Sequence, residues 1–496
     1  MLFTRLHFWV FFTLLLGLYI LVYRRKAVRN AYLFIMSLVF YYLSGGYFFT
    51  LLIFSTIADY TLGHLIYRSR AKWKSKLFVT ISVIINLGVL SYFKYSYFFV
   101  DTINGLLGTD LHVVNLLARW SNQLASTGFD VSTIILPVGI SFYTFQTISY
   151  TVDVYRGKIK PVNNIIDFGF YVSFFPQLVA GPIVRAAEFV PQLYQKFNLT
   201  RREFSHALFL IMAGLMKKML ISDYISINYV DRVFEAPLSY SGFENAMAVY
   251  GYSLQIYCDF SGYTDIAIGV AFLLGFRLPV NFNSPYKALH VTDFWRRWHI
   301  SLSSWLRDYL YIPLGGNKKG ELRRNINIMI TMLLGGLWHG AHLRFIIWGA
   351  IHGVALVVHK LWRWIRKKIY GSYQPLRRVK PFSRFLSVFF TFHVVTAAWI
   401  FFRAQNMRKA KQMISQIIHH FEADLIPTMV WSYKEVFAVI LVGFILHWLP
   451  AGFKEKYRGW FIQTPLAIKI LAVILLVIII YQVKSAAIQP FIYFKF

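Results

Sequence analysis

Two histidines stand in text that is otherwise apolar. The first lies in Gly335-Gly336-Leu337-Trp338-His339-Gly340-Ala341-His342. A helix beginning near Asn325 would carry His339 roughly 20 Å along its axis, at about 1.5 Å per residue. That places an imidazole deep in a hydrocarbon core about 30 Å thick, where an ionisable group is costly and turns toward protein or a polar path. A neutral imidazole there can serve as a general base, and the flanking glycines let backbone or ligand approach. A hydrogen-bonded packing histidine fits the pattern equally well. The second histidine is His299, in Asp293-Phe294-Trp295-Arg296-Arg297-Trp298-His299-Ile300-Ser301-Leu302. Read as one helix, Trp295, Trp298, His299, Leu302 and Leu306 share a face, with Arg296, Arg297 and Arg307 on the other side. A polar ring on the apolar face requires a partner, although an interfacial helix gives the same pattern for structural reasons alone.

Further polar groups gather nearby in the sequence. Tyr257-Cys258-Asp259-Phe260-Ser261-Gly262-Tyr263-Thr264-Asp265 puts two carboxylates in an apolar run. Asp259 and Asp265 could line a cavity with Trp298, Trp338 and Asp308, orient a histidine, or pair with membrane-embedded arginines; pairing is the plainer role. The turn Tyr311-Ile312-Pro313-Leu314-Gly315-Gly316-Asn317-Lys318-Lys319-Gly320 could meet a phosphate through its N–H groups. It lacks the Walker spacing, so a simple loop is the default. Arg296, Arg297 and Lys318 are the candidates for holding an anionic donor. No metal site is expected: Cys258 is the single cysteine, and His339 and His342 lack the intervening Glu of the zinc protease motif.

The elements that must position these residues are membrane helices. Of 496 residues, 57% are hydrophobic and 15% charged, against roughly 45–50% and about 25% in soluble domains. Long apolar runs at 77–100, 326–343 and 466–481 suit helices whose solvent is lipid. The net charge of +31 sits in short basic loops between such runs, at 24–26, 68–76, 156–160, 201–202 and 366–368. This distribution marks a cytoplasmic side and not a nucleic-acid surface. The expected order is a first span at 8–22, a hairpin over 31–67 broken at Ser44-Gly45-Gly46, an outward crossing at 77–100, an outer loop over 101–130 and a return at 131–152. A broken apolar segment follows at 165–184, then helices at 204–227, 243–257 and 263–276, and an amphipathic one at 291–310. Helices at 326–337 and 345–359, a basic linker over 362–380 and spans at 385–402, 436–449 and 466–483 complete the chain. The expected fold is an all-α polytopic membrane protein with about eleven to thirteen membrane helices, some short or re-entrant, around a central cavity. Residues 1–130 and 361–496 form scaffold, and 131–360 the catalytic core. The interrupted segments fall between 137 and 352, which locates the cavity.

Read together, these segments resemble the membrane-bound O-acyltransferase (MBOAT) superfamily, in its AlgI-like branch of alginate and polysaccharide O-acetyltransferases. The resemblance rests on residues 136–146 (Leu-Pro-Val-Gly-Ile-Ser-Phe-Tyr-Thr-Phe-Gln), 175–183 (Phe-Pro-Gln-Leu-Val-Ala-Gly-Pro-Ile), 259–265, 283–286 (Asn-Ser-Pro-Tyr), 294–302, 307–317, 336–341 and the closing 491–494. It covers roughly residues 30–360 and the carboxy end, with the segments in order.

That resemblance implies a ring of helices around a thinned membrane, with His339 as the catalytic histidine and His299 as the second family histidine. It implies acetyl-CoA as acyl donor, with no bound cofactor. The acetyl group would pass from cytoplasmic acetyl-CoA across the membrane for O-acetylation of an extracytoplasmic polysaccharide of alginate, cellulose or peptidoglycan type. The expected setting is the bacterial inner membrane, with lipids around the chain and an extracytoplasmic SGNH-type acetyltransferase as partner. D-alanyl transfer to teichoic acids is the alternative within the superfamily. A membrane transporter is the alternative outside it, disfavoured because the broken helices are not repeated in two halves.

Overall fold

The computed structural model describes residues 2–178, 181–370, 381–483 and 491. Val179 and Ala180, residues 371–380 of the basic linker, and Ile492, Tyr493 and Phe494 of the closing motif lie outside the described residues. Every regular element among the described residues is helical.

The amino-terminal helices follow the expected order. Leu6–Val22 is followed by Lys26–Gly45 and Phe49–Arg68. The turn between the latter two falls at Gly46, whose φ of 62° is open to glycine at little cost. Lys72–Leu107 is 36 residues long, about 54 Å at 1.5 Å per residue, and so overshoots the hydrocarbon core. The segment 101–130 is more than a polar loop. It contains the helix Leu116–Ala125, capped by Asn115, and exposes Leu116, Leu117, Trp120 and Leu124, a pattern suited to lying along a membrane interface.

Two expectations for the middle of the chain are corrected. The helices at 243–257 and 263–276 are one continuous helix, Gly242–Leu273. Ser261-Gly262 does not interrupt it, because Gly262 is where it crosses the helix Arg201–Leu215: a Cβ on Gly262 would lie 2.7 Å from the Gly214 carbonyl oxygen. The amphipathic segment 291–310 is not one helix. It is Val291–Arg297 and Ile300–Leu306, broken at Trp298 and His299. The break at 165–184 is present, with Ile165–Ser173 and the single turn Phe175–Leu178 meeting at Phe174. Next comes a helical hairpin, Gly320–His339 and Leu343–Tyr370.

The carboxy-terminal part contains Pro381–Arg403 and Met407–His419. Two bent pairs follow, Ala423–Ser432 with Lys434–Trp448 at 90°, and Ala451–Gln463 with Leu466–Gln482 at 114°. Broken helices are therefore not confined to 137–352. By length and composition, five helices among the described residues can cross a membrane, or up to seven if each bent pair is one span. The others counted as membrane helices from sequence are shorter, or carry polar groups that the protein itself covers, as in Gly242–Leu273, which is buried along most of its length.

Orientation follows from the basic loops and is open to a direct check. Cys258 is 3% exposed and gives little background. In intact cells, an impermeant maleimide is expected to label Asp110→Cys and spare Lys72→Cys. Labelling at 72 with none at 110 would reverse the orientation.

Candidate active site

His339 is the last residue of its helix and is 3% exposed. The helix begins at Gly320, five residues before the start expected from sequence, so His339 lies about 28 Å along it and not roughly 20 Å, at the tip of the hairpin. Glycines set how closely the two arms approach. A Cβ on Gly336 would lie 2.2 Å from the Phe345 carbonyl oxygen, and one on Gly349 would lie 2.3 Å from that of Met332. Only backbones without side chains at these points allow the crossing.

A helix that ends inside the protein leaves its last carbonyls without intrahelical partners. Here they are met from Lys72–Leu107. The Lys94 ammonium donates to the Trp338 carbonyl at 2.7 Å, to that of His339 at 3.4 Å and to Ser141 Oγ at 3.5 Å. The Tyr95 hydroxyl donates to the Leu337 carbonyl at 3.0 Å. A cation at a helix C-terminus is worth about 0.3–1 kcal/mol, and up to ~2 kcal/mol when partly buried. A lysine near the centre of a span costs about 2.5–3.5 kcal/mol even on mild scales. Capping alone does not offset that cost.

His299 lies at the break between Val291–Arg297 and Ile300–Leu306, with φ 41° and ψ 57°. Histidine tolerates this left-handed region better than most residues, but still at some strain. The surroundings hold it there. The Asn281 carbonyl accepts from Ile300 N–H at 3.0 Å, and Asn281 Oδ1 accepts from the Ser301 N–H and hydroxyl at 3.2 and 2.6 Å. Ser301 Oγ in turn accepts from Ile183 N–H at 3.0 Å, tying the break to the 175–183 motif. The His299 ring is fully buried and meets Phe260 at 4.7 Å and Trp338 at 6.2 Å. Trp338 also meets the His339 ring at 5.0 Å, so it lies between the two histidines.

Around His339 stand Trp348 at 5.0 Å and Phe402 at 5.2 Å. Behind Trp348 is a third histidine that the sequence reading missed. His352 is fully buried and packs on Trp348 at 4.9 Å and Trp295 at 5.2 Å. Neither His352 ring nitrogen, nor the indole N–H of Trp295 or Trp348, has a hydrogen-bond partner among the described residues. Trp295 faces a cavity of about 560 Å³ on its other side. Arg296, Arg307, Lys360 and Arg363 bring four cations to that cavity, and Ile328, Thr331 and Met332 give it a wall on the His339 helix. Met332 lies seven residues before His339, about 10 Å along the axis.

The residues singled out from sequence divide as follows. His299, His339 and Trp338 come together, and Trp298 packs nearby on Trp399 at 5.0 Å. Of the candidate donor-binding residues, Arg296 lines the cavity. Arg297 instead bonds Asp293 at 3.0 Å and the Asn283 carbonyl at 3.2 Å. Lys318 is exposed and not among the lining residues, although its neighbour Asn317 is. Asp259 and Asp265 do not line the cavity either. They pair with Lys218 at 2.5 Å and Lys217 at 2.6 Å, across the contact between their helices. Asp308 pairs with Arg185 at 2.8 Å and Arg307 at 2.7 Å. The site also draws on both expected scaffolds, taking Lys94 from one flank and Phe402 from the other.

Comparison with known proteins shows the family. The profile of the membrane-bound O-acyltransferase family, MBOAT, matches residues 160–402. A probable alginate O-acetylase AlgI of Pseudomonas putida is 33% identical, over 98% of this chain and 98% of its own length. A peptidoglycan O-acetyltransferase of Helicobacter pylori is 35% identical, over 78% of this chain and 73% of its own. A teichoic acid D-alanyltransferase of Bacillus subtilis is 29% identical, over 53% of this chain and 68% of its own.

Proposed function

The chain belongs to the membrane-bound O-acyltransferase family, and from that premise we propose that it moves acetyl groups from cytoplasmic acetyl-CoA across the bacterial inner membrane to an extracytoplasmic acceptor. Its class is not in question: it is a membrane O-acyltransferase of the alginate and peptidoglycan O-acetylase type. The observation that carries the finer reading is the cavity with four cations, separated from His339 by the Trp295, Trp348 and His352 cluster. Its charges suit the phosphates of coenzyme A. Its inner wall suits a narrow pantetheine arm that brings a thioester toward His339. The near full-length match to an O-acetylase, against 53% coverage for the D-alanyltransferase, favours acetyl over D-alanyl transfer.

In this reading His339 acts as a neutral base. It takes the proton of the acceptor hydroxyl as the hydroxyl oxygen attacks the acetyl carbonyl carbon. The carbon–sulfur bond breaks, and the coenzyme A thiolate takes the proton back from the imidazolium. Acceptor and product stay on the far side, where an SGNH-type acetyltransferase would hand the group to polysaccharide. His299 shares the chamber through Trp338 and orients the reacting groups. An alternative use of His339, as a transient acetyl carrier, needs the same geometry.

His339→Gln retains polarity and approximate size but cannot take the proton. It is expected to abolish polysaccharide acetylation at a matched level of folded protein, since general-base help is worth about 10²–10⁴ in rate. Near-normal acetylation would leave His339 as a packing residue. For the donor site, Arg296→Ala and Lys360→Ala are expected to raise KM for acetyl-CoA, and the wild-type KM should rise with salt as charge pairs are screened within about 10 Å at 0.1 M. A salt-insensitive KM, unchanged in both variants, would place the donor elsewhere.

A further inference from the structure

We propose that Lys94 is a positioning residue of this enzyme: it fixes the backbone that carries His339 and sets its ammonium against the reaction centre. The inference rests on the reading of His339 as the chemical centre.

Three observations carry it. Lys94 bonds the carbonyls of Trp338 and His339 themselves, at 2.7 and 3.4 Å. His339 is the final residue of its helix, so this last turn decides where its imidazole points. Second, capping does not require a charge. One residue along, the neutral hydroxyl of Tyr95 serves the Leu337 carbonyl, and a polar neutral side chain in place of Lys94 would serve its neighbours at far lower desolvation cost. Third, no carboxylate pairs with Lys94 among the described residues.

The chemistry makes use of such a charge. When an oxygen nucleophile attacks a thioester, the carbonyl oxygen becomes negative before the carbon–sulfur bond breaks. A pre-oriented cation beside an apolar chamber stabilises that state with little reorganisation. Ser141 completes the arrangement. It belongs to the 136–146 motif, whose Phe142 and Phe145 pack on Trp338 at 5.6 and 5.3 Å.

The test uses the full chain in native membrane vesicles, with acetyl-CoA as the probe and release of its thiol as the signal. Lys94→Met is expected to lower kcat per folded protein by about 10- to 100-fold, with KM for acetyl-CoA within about twofold of wild type. Lys94→Arg should recover part of the rate. A residue that only capped the helix would lower the amount of folded protein and leave kcat per folded molecule unchanged; that result for Lys94→Met overturns the proposal. If Lys94→Met does not fold, Lys94→Gln takes its place, since it keeps a donor and removes the charge, and wild-type kcat there overturns the proposal equally. Full activity in His339→Gln would instead remove the underlying reading, so the two failures are distinguishable.

Discussion

A helix that ends deep in an apolar protein must find donors for its last carbonyls, because neither lipid nor its own backbone supplies them. The arrangement around His339 follows from that obligation. The helix ends there because the chain turns back at once into Leu343–Tyr370, and the turn is tight because Gly336 and Gly349 let the arms touch. The exposed carbonyls then need Lys94 and Tyr95, which must come from a helix crossing the hairpin tip. That helix, Lys72–Leu107, is distant in sequence, with 244 positions between Lys94 and Trp338. One unmet requirement of the backbone thus joins the amino-terminal helices to the hairpin that carries His339.

A similar constraint shapes the second histidine. The backbone at His299 is left-handed, and the adjoining N–H groups are taken up by Asn281 instead of by a continuous helix. At that turn the imidazole lies inward, beside Trp338. Arg296 and Arg297 both precede the break, on Val291–Arg297, and as neighbours about 100° apart around that helix they diverge, one to the cavity and one to Asp293.

What the sequence disclosed followed from local chemistry. The hairpin break at 44–46 and the close-approach glycines could be read, since each depends on residue type and spacing within one turn or one helix. What it concealed depended on partners far along the chain. Lys94 reads in isolation as an expensive residue in an apolar run, and its role appears only beside Trp338. The continuity of Gly242–Leu273 through Ser261-Gly262 depends on Gly214. Pairing of Asp259 and Asp265 could be read from their apolar surroundings, but not that the partners would be Lys218 and Lys217, on another helix, instead of arginines. His352 and Phe402 were missed for lack of a motif: the first sits in Ile-His-Gly, past the matched segments, and the second in a span that reads as plain scaffold.

Sidedness tests the central claim most directly. In proteoliposomes of uniform orientation, acetyl-CoA can be confined to one face and an acetyl-accepting partner or saccharide to the other. The account predicts transfer when acetyl-CoA meets the face bearing Lys72 and Lys367 and the acceptor lies opposite, and no transfer when the two are exchanged. Transfer that proceeds equally in both arrangements, or only with donor and acceptor on the same face, would contradict it.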